Sequence, residues 1–218
     1  MKTTIAFALT TLLVSVGFAG LLVYAQQGNI VHTHIGHVAD AWPDTPEGQG
    51  LLPAALAEAQ VAVQHAGLAA RSANDLDAIK LHIGHVLHAV DPSVMASGPG
   101  LGYGVKAAAA GAAQHIEAAA GTDGASQNVT THAPHVATSS RNAVMWADEI
   151  VTLARQVETA STAAEAAMLA SRINTLAEQI VSGVDANGDG RVGWQEGEGG
   201  LQQAELHLGL MKDGEGLS

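Results

Sequence analysis

The sequence predicts an all-α protein, a helical bundle of repeated helical hairpins. Three observations lead there. Apolar residues make up 47% of the 218 residues but aromatics only 3%, so the core must be built from Ala, Leu, Val and Ile. That composition suits closely packed helices rather than sheets. Proline and glycine clusters divide the chain into segments of helical length. Finally, the spacing H-x-x-H-V recurs three times, as His34-Ile35-Gly36-His37-Val38, His82-Ile83-Gly84-His85-Val86 and His132-Ala133-Pro134-His135-Val136. The starts lie 48 and 50 residues apart, the mark of an internal repeat of about 50 residues.

The elements follow in order. Lys2 precedes an uncharged apolar run over about 5–24, and Val23-Tyr24-Ala25 places acceptable residues where a signal peptidase reads. The run is also nearly long enough to span a bilayer. Residues 1–25 are therefore a signal peptide or an uncleaved anchor, and the remainder is periplasmic or secreted. Residues 26–160 form the histidine-rich helical repeat region, and 161–218 a helix followed by a calcium-binding segment. A first helix over 30–42 is broken by Pro43 and the turn at 44–48, and a second spans 51–71. Asn74 or Asp75 caps a third, which stops at Asp91-Pro92. The glycine-rich segment 98–104 is a loop; it lacks the Lys-Ser/Thr of a phosphate-binding loop and has no preceding strand. An Ala-rich fourth helix spans 105–120. Thr131 caps a fifth over about 133–157, which leaves Pro134 in a first turn, where proline is tolerated. A sixth covers 162–183.

Composition also excludes function classes. The formal net charge is −12 and the pI about 5.2, a surface that repels phosphate backbones and draws cations. There is no cysteine, so disulfides, thiolate metal sites and cysteine nucleophiles are excluded. No Ser/His/Asp nucleophile arrangement is visible. Catalysis would have to rest on a metal ion held by three histidines with one position open.

The candidate transition-metal ligands are His34, His37, His65, His82, His85, His115, His132 and His135. Histidines at i and i+3 share a helix face, close enough to reach one ion. A single histidine stands before each of the last two pairs, His65 and His115, each 17 residues ahead. His65 and His82 lie about 10–12 Å from the turn between their helices, so they face each other across an antiparallel pair. His88 extends the row of His82 and His85. Stacked units would bring the eight histidines together inside the bundle. No histidine follows His135 at the repeat interval, where the register falls near 163–165.

Imidazole without thiolate suits Zn²⁺, Cu²⁺ or Ni²⁺. The Glu-x-x-His pairs of di-iron bundles and the His-Glu-x-x-His of zinc proteases are missing. Glu117, Asp148 and Glu149 are available as oxygen ligands. Two other readings stand beside metal binding: b-type haem between facing histidines, and scaffold histidines that hydrogen-bond one another. Asn128-Val129-Thr130 fits a glycosylation sequon, and Trp42, Trp146 and Trp194 read as packing anchors.

Residues 185–196 read Asp185-Ala186-Asn187-Gly188-Asp189-Gly190-Arg191-Val192-Gly193-Trp194-Gln195-Glu196. This segment resembles the calcium loop of the EF-hand proteins, a resemblance confined to the loop and an entering helix bearing Ile173, Leu176, Ile180 and Val181. It implies a C-terminal EF-hand helix-loop-helix. Asp185, Asn187 and Asp189 would supply side-chain oxygens, Arg191 its carbonyl, and Glu196 two oxygens, with Gly190 permitting the sharp turn. Gly197, Gly199 and Gly200 weaken the exiting helix by roughly 1 kcal/mol each. EF-hands pair through the eighth loop position, here Val192, and the sequence holds no second hand. The resemblance therefore implies a structural clamp or a homodimer formed through the unpaired hand. The functional expectation is an exported protein that binds, stores or delivers metal. The alternative is a calcium-stabilised structural or interaction module.

Overall fold

The computed structural model describes residues 30–217; residues 1–25, expected to be a signal peptide or anchor, lie outside them. The chain is all-helical, as composition predicted, with no strand among the described residues. The helices are α1 (30–39), α2 (Leu51–Arg71), α3 (Leu76–Val90), α4 (Val105–Gly121), α5 (Gln127–Thr159), α6 (Ala163–Ser182) and α7 (Leu201–Glu215). None of them is long and apolar enough to cross a membrane.

The bundle is organised around α2 and α5, each of which packs against α3, α4, α6 and α7. Small residues make this possible. On α2 the buried positions include Ala54, Ala55, Ala59, Ala62, Ala66 and Ala69, and on α4 Ala108, Ala109, Ala112 and Ala113. Larger side chains then fill the space between helices, among them Ile79, Leu87, Ile116, Ile150, Ile173 and Leu176. The burial pattern explains the repeat. In each H-x-x-H-V the second and fifth residues are core: Ile35 and Val38, Ile83 and Val86, Ala133 and Val136. The histidines at the first and fourth places therefore flank the apolar stripe, half-buried.

Several boundaries differ from expectation. The first helix ends at 39 rather than 42, because the chain turns back on itself: Asp40 and Ala41 N–H both donate to the Gly36 carbonyl. Gly50 then passes so close that a Cβ there would lie 2.5 Å from the Ala39 carbonyl carbon. Asp75, not Asn74, caps α3, accepting from Ala78 N–H at 3.0 Å. The cap of α5 is Ser126, whose Oγ accepts from Val129 N–H at 3.1 Å, so Thr131 is no cap. Pro134 consequently lies inside the helix, where its missing N–H leaves the Thr130 carbonyl without its helical partner. The sequon amide is engaged in packing, Asn128 Nδ2 donating to the Met211 carbonyl at 2.8 Å.

The glycine-rich segment is held by a carboxylate of the protein itself. Glu58, fully buried on α2, accepts from Leu101, Tyr103 and Gly104 N–H at 3.2, 2.8 and 2.9 Å. Its anion-binding backbone is thus filled from within.

Candidate metal centres

Nine of the eleven histidines assemble into three triads: His34, His37 and His115; His65, His82 and His85; His132, His135 and His207. Each combines an i,i+3 pair on one helix with one histidine from another. The pairs lie on α1, α3 and α5, and the single members on α4, α2 and α7.

In every triad the ring Nδ1 atoms meet. His115 Nδ1 lies 2.9 Å from His34 Nδ1 and 3.4 Å from His37 Nδ1. His65 Nδ1 lies 3.2 Å from those of both His82 and His85. His207 Nδ1 lies 3.1 Å from His132 and 3.2 Å from His135. A tetrahedral ion with bonds of about 2.0–2.1 Å to imidazole nitrogen holds those nitrogens about 3.3–3.4 Å apart. The observed spacing is close to that. Hydrogen bonding satisfies it only in part, since a neutral imidazole Nδ1 offers either one N–H or one in-plane lone pair. The central Nδ1 can make one linear hydrogen bond at most, and its second contact must share that same proton or lone pair. A cation at the common point accepts all three lone pairs. Haem is a poorer match, because axial imidazoles must stand on opposite sides of a porphyrin plate, whereas these converge on one point.

Six of the nine imidazoles are shifted toward the neutral form. Burial, then the neighbouring histidines, hold His34, His65, His85 and His115 below the ordinary imidazole range, and His135 likewise. His207 is pushed down to about 4 by the same causes. For the metal-free protein this fixes the sign of the pH dependence. Well above about pH 6.5 these six imidazoles are neutral in both the folded and the unfolded chain. As pH falls, the unfolded chain takes up protons first, so stability declines from about 6.5 toward 4. Urea denaturation of chelator-treated protein at pH 7.5, 6 and 5 should show this decline, and His207→Gln should flatten it. A midpoint that rises toward pH 5 would contradict it.

Two tryptophans are part of these sites rather than of the core alone. Trp42 packs on His37 and His115, with ring centroids 4.8 and 4.6 Å away. Trp194 stacks on His135 at 4.1 Å with an interplanar angle of 23°. Trp146 is buried and remains a packing anchor.

Eight of the nine triad histidines are the ones the sequence singles out, but the structure groups them differently. They do not converge in one interior site; they form three half-buried ones. The single histidine His115 closes on α1 rather than on the pair 17 residues ahead. His207, the single member of the third triad, lies outside the repeat frame and carries no signal in it. His88 does not extend the row, since each i+3 step falls about 60° short of a full turn. It is buried, with Nδ1 2.8 Å from the Met95 carbonyl. Glu117, Asp148 and Glu149 pair instead with Arg141, Lys106 and Arg172.

The 185–196 loop leaves α6 and reaches α7 only at Leu201. Asp185 accepts from Gly188, Asp189 and Gly190 N–H, Asn187 Oδ1 from Asp189 N–H, and Asp189 Oδ1 from Arg191 N–H. Glu196 is exposed and lines an open groove with Thr138, Arg141 and Met145. The carboxylates of Asp185, Asp189 and Glu196 do not gather as the histidines do. The buried acid is Glu198, which accepts from Asn187 and Gly193 N–H at 3.3 and 3.0 Å; nothing in the loop pattern marks it. Asn142 of α5 holds the far end of the loop, donating to the Gln195 and Gly199 carbonyls and accepting from Gly197 N–H.

No protein-family model, no curated protein and no solved structure matches this chain.

Proposed function

We propose that the protein binds three transition-metal ions, one per histidine triad, and stores or delivers them outside the cytoplasm. The observation that carries this is the convergence of three Nδ1 atoms at each of three places. The all-imidazole donor set favours Zn²⁺ or Cu²⁺, and the acidic surface concentrates cations around it. Export rests on the apolar N-terminal segment. The 185–196 loop adds a calcium site, supported by its ligand pattern; calcium would draw Glu196 in toward Asp185, Asn187, Asp189 and the Arg191 carbonyl.

Calorimetric titration with Zn²⁺ of protein purified without an affinity tag tests the reading. Three ions per chain are expected, and His115→Ala, His65→Ala and His207→Ala should each remove one. Calcium should bind separately, with a dissociation constant on the order of 10⁻⁴–10⁻³ M, and lose its heat in Glu196→Gln. Binding of Zn²⁺ or Cu²⁺ that survives all three histidine substitutions would put the site elsewhere. No calcium heat at millimolar ligand would remove the loop from the proposal.

A further inference from the structure

Resting on the triads as metal sites, we infer that the first and third fill cooperatively, coupled through the contact between α1 and α7, while the second fills independently. The triads differ in what they tie together. The second joins α2 to α3, neighbours across a short turn, and its contacts span 17 and 20 residues of chain. The first spans 81 and 78 residues and fastens α1 to α4. The third spans 75 and 72 and fastens α7 to α5. An ion in either of these would pin the first or the last described helix onto the bundle.

Those two helices touch. His32 Nε2 of α1 lies 3.1 Å from Glu215 Oε2 of α7, and Lys212 of α7 pairs with Asp40, just past α1, at 2.8 Å. Glu215 also accepts from Ser126 Oγ at the start of α5 and from Asn128 Nδ2 at 3.3 Å. One carboxylate thus joins α1, α7 and the first turn of α5. His32 is two residues from the ligand His34, and Glu215 two helical turns beyond His207. An ion that docks α1 through His34 and His37 presents His32 and Asp40 to α7, which lowers the cost of ordering His207 for the third triad. Linkage makes the effect reciprocal. The second triad shares neither contact.

Because the linking pairs are partly exposed, the coupling is modest, about threefold to tenfold in affinity. Zn²⁺ titration of the full chain, followed by calorimetry and by tryptophan fluorescence from Trp42 and Trp194, measures it. Emptying the first triad with His115→Ala should weaken the third by about threefold to tenfold and leave the second within about twofold. Lys212→Met combined with Glu215→Gln leaves all nine ligands in place and should abolish the dependence while three ions still bind. Asp40→Asn, at an exposed position, should reduce it even if the double variant is unstable. Unchanged third-triad affinity in His115→Ala, with the remaining two ions bound, would overturn the coupling. No Zn²⁺ binding at any triad in the unaltered chain would overturn the site reading on which it rests.

Discussion

Filling the three triads is expected to raise the unfolding free energy by about 8 kcal/mol at free metal a hundredfold above each dissociation constant, since each site then contributes about 2.7 kcal/mol. Few single perturbations of a domain this size reach that magnitude. Denaturant unfolding with Zn²⁺ and with chelator measures it directly. Replacing one central histidine, His115, His65 or His207, should remove about a third of the metal-dependent gain. The same substitution should change the metal-free protein far less, because it deletes a half-buried imidazole and relieves an Nδ1–Nδ1 contact. Equal destabilisation with and without metal, and no gain in the unaltered chain, would make the histidines scaffold.

The second large effect belongs to Glu58. Its carboxylate is buried and takes three backbone N–H groups from the 101–104 segment. Glu58→Ala leaves those donors with nothing to bond and opens a cavity, which should cost about 3–5 kcal/mol. Glu58→Gln retains one acceptor oxygen and should cost distinctly less. Urea denaturation of both variants, with hydrogen exchange read at residues 98–104, checks this. A loss under about 1 kcal/mol in Glu58→Ala would mean the loop is held by other contacts.

Much of this architecture was legible in the sequence, for identifiable reasons. Local signals such as Asp75 before Leu76 and Pro92 after Asp91 set helix ends well. The H-x-x-H-V repeat encoded both a helix face and its half-burial. Partner choice was not encoded. His65 and His115 stand at the same distance from the following pair, yet one joins that pair and the other joins α1, because which helices lie side by side is decided by packing over the whole bundle. His207 left a trace only by counting: three pairs and two single histidines leave the third pair short, and it is the one histidine beyond that pair. Pro134 misled the reading of α5, since a proline that ordinarily marks a helix start is tolerated inside a helix fixed by Ser126 and long-range packing. The acids near the histidines were misread because a carboxylate's neighbour in sequence says nothing about the arginine or lysine that reaches it across helices.

The neutrality of the triads has one further consequence, for proton and charge balance during loading. Thiolate sites release protons as they bind metal. Here burial and neighbouring histidines hold six of the nine triad imidazoles below the ordinary range, so at those six an arriving ion would displace few protons at neutral pH. Loading would then add positive charge with little offsetting proton release at those six positions. Three divalent ions would halve the formal −12 of the chain. The loaded protein stays acidic, and its colloidal repulsion is reduced without being reversed. Uptake of metal at the triads would thus bring the chain nearer to charge neutrality without carrying it past that point.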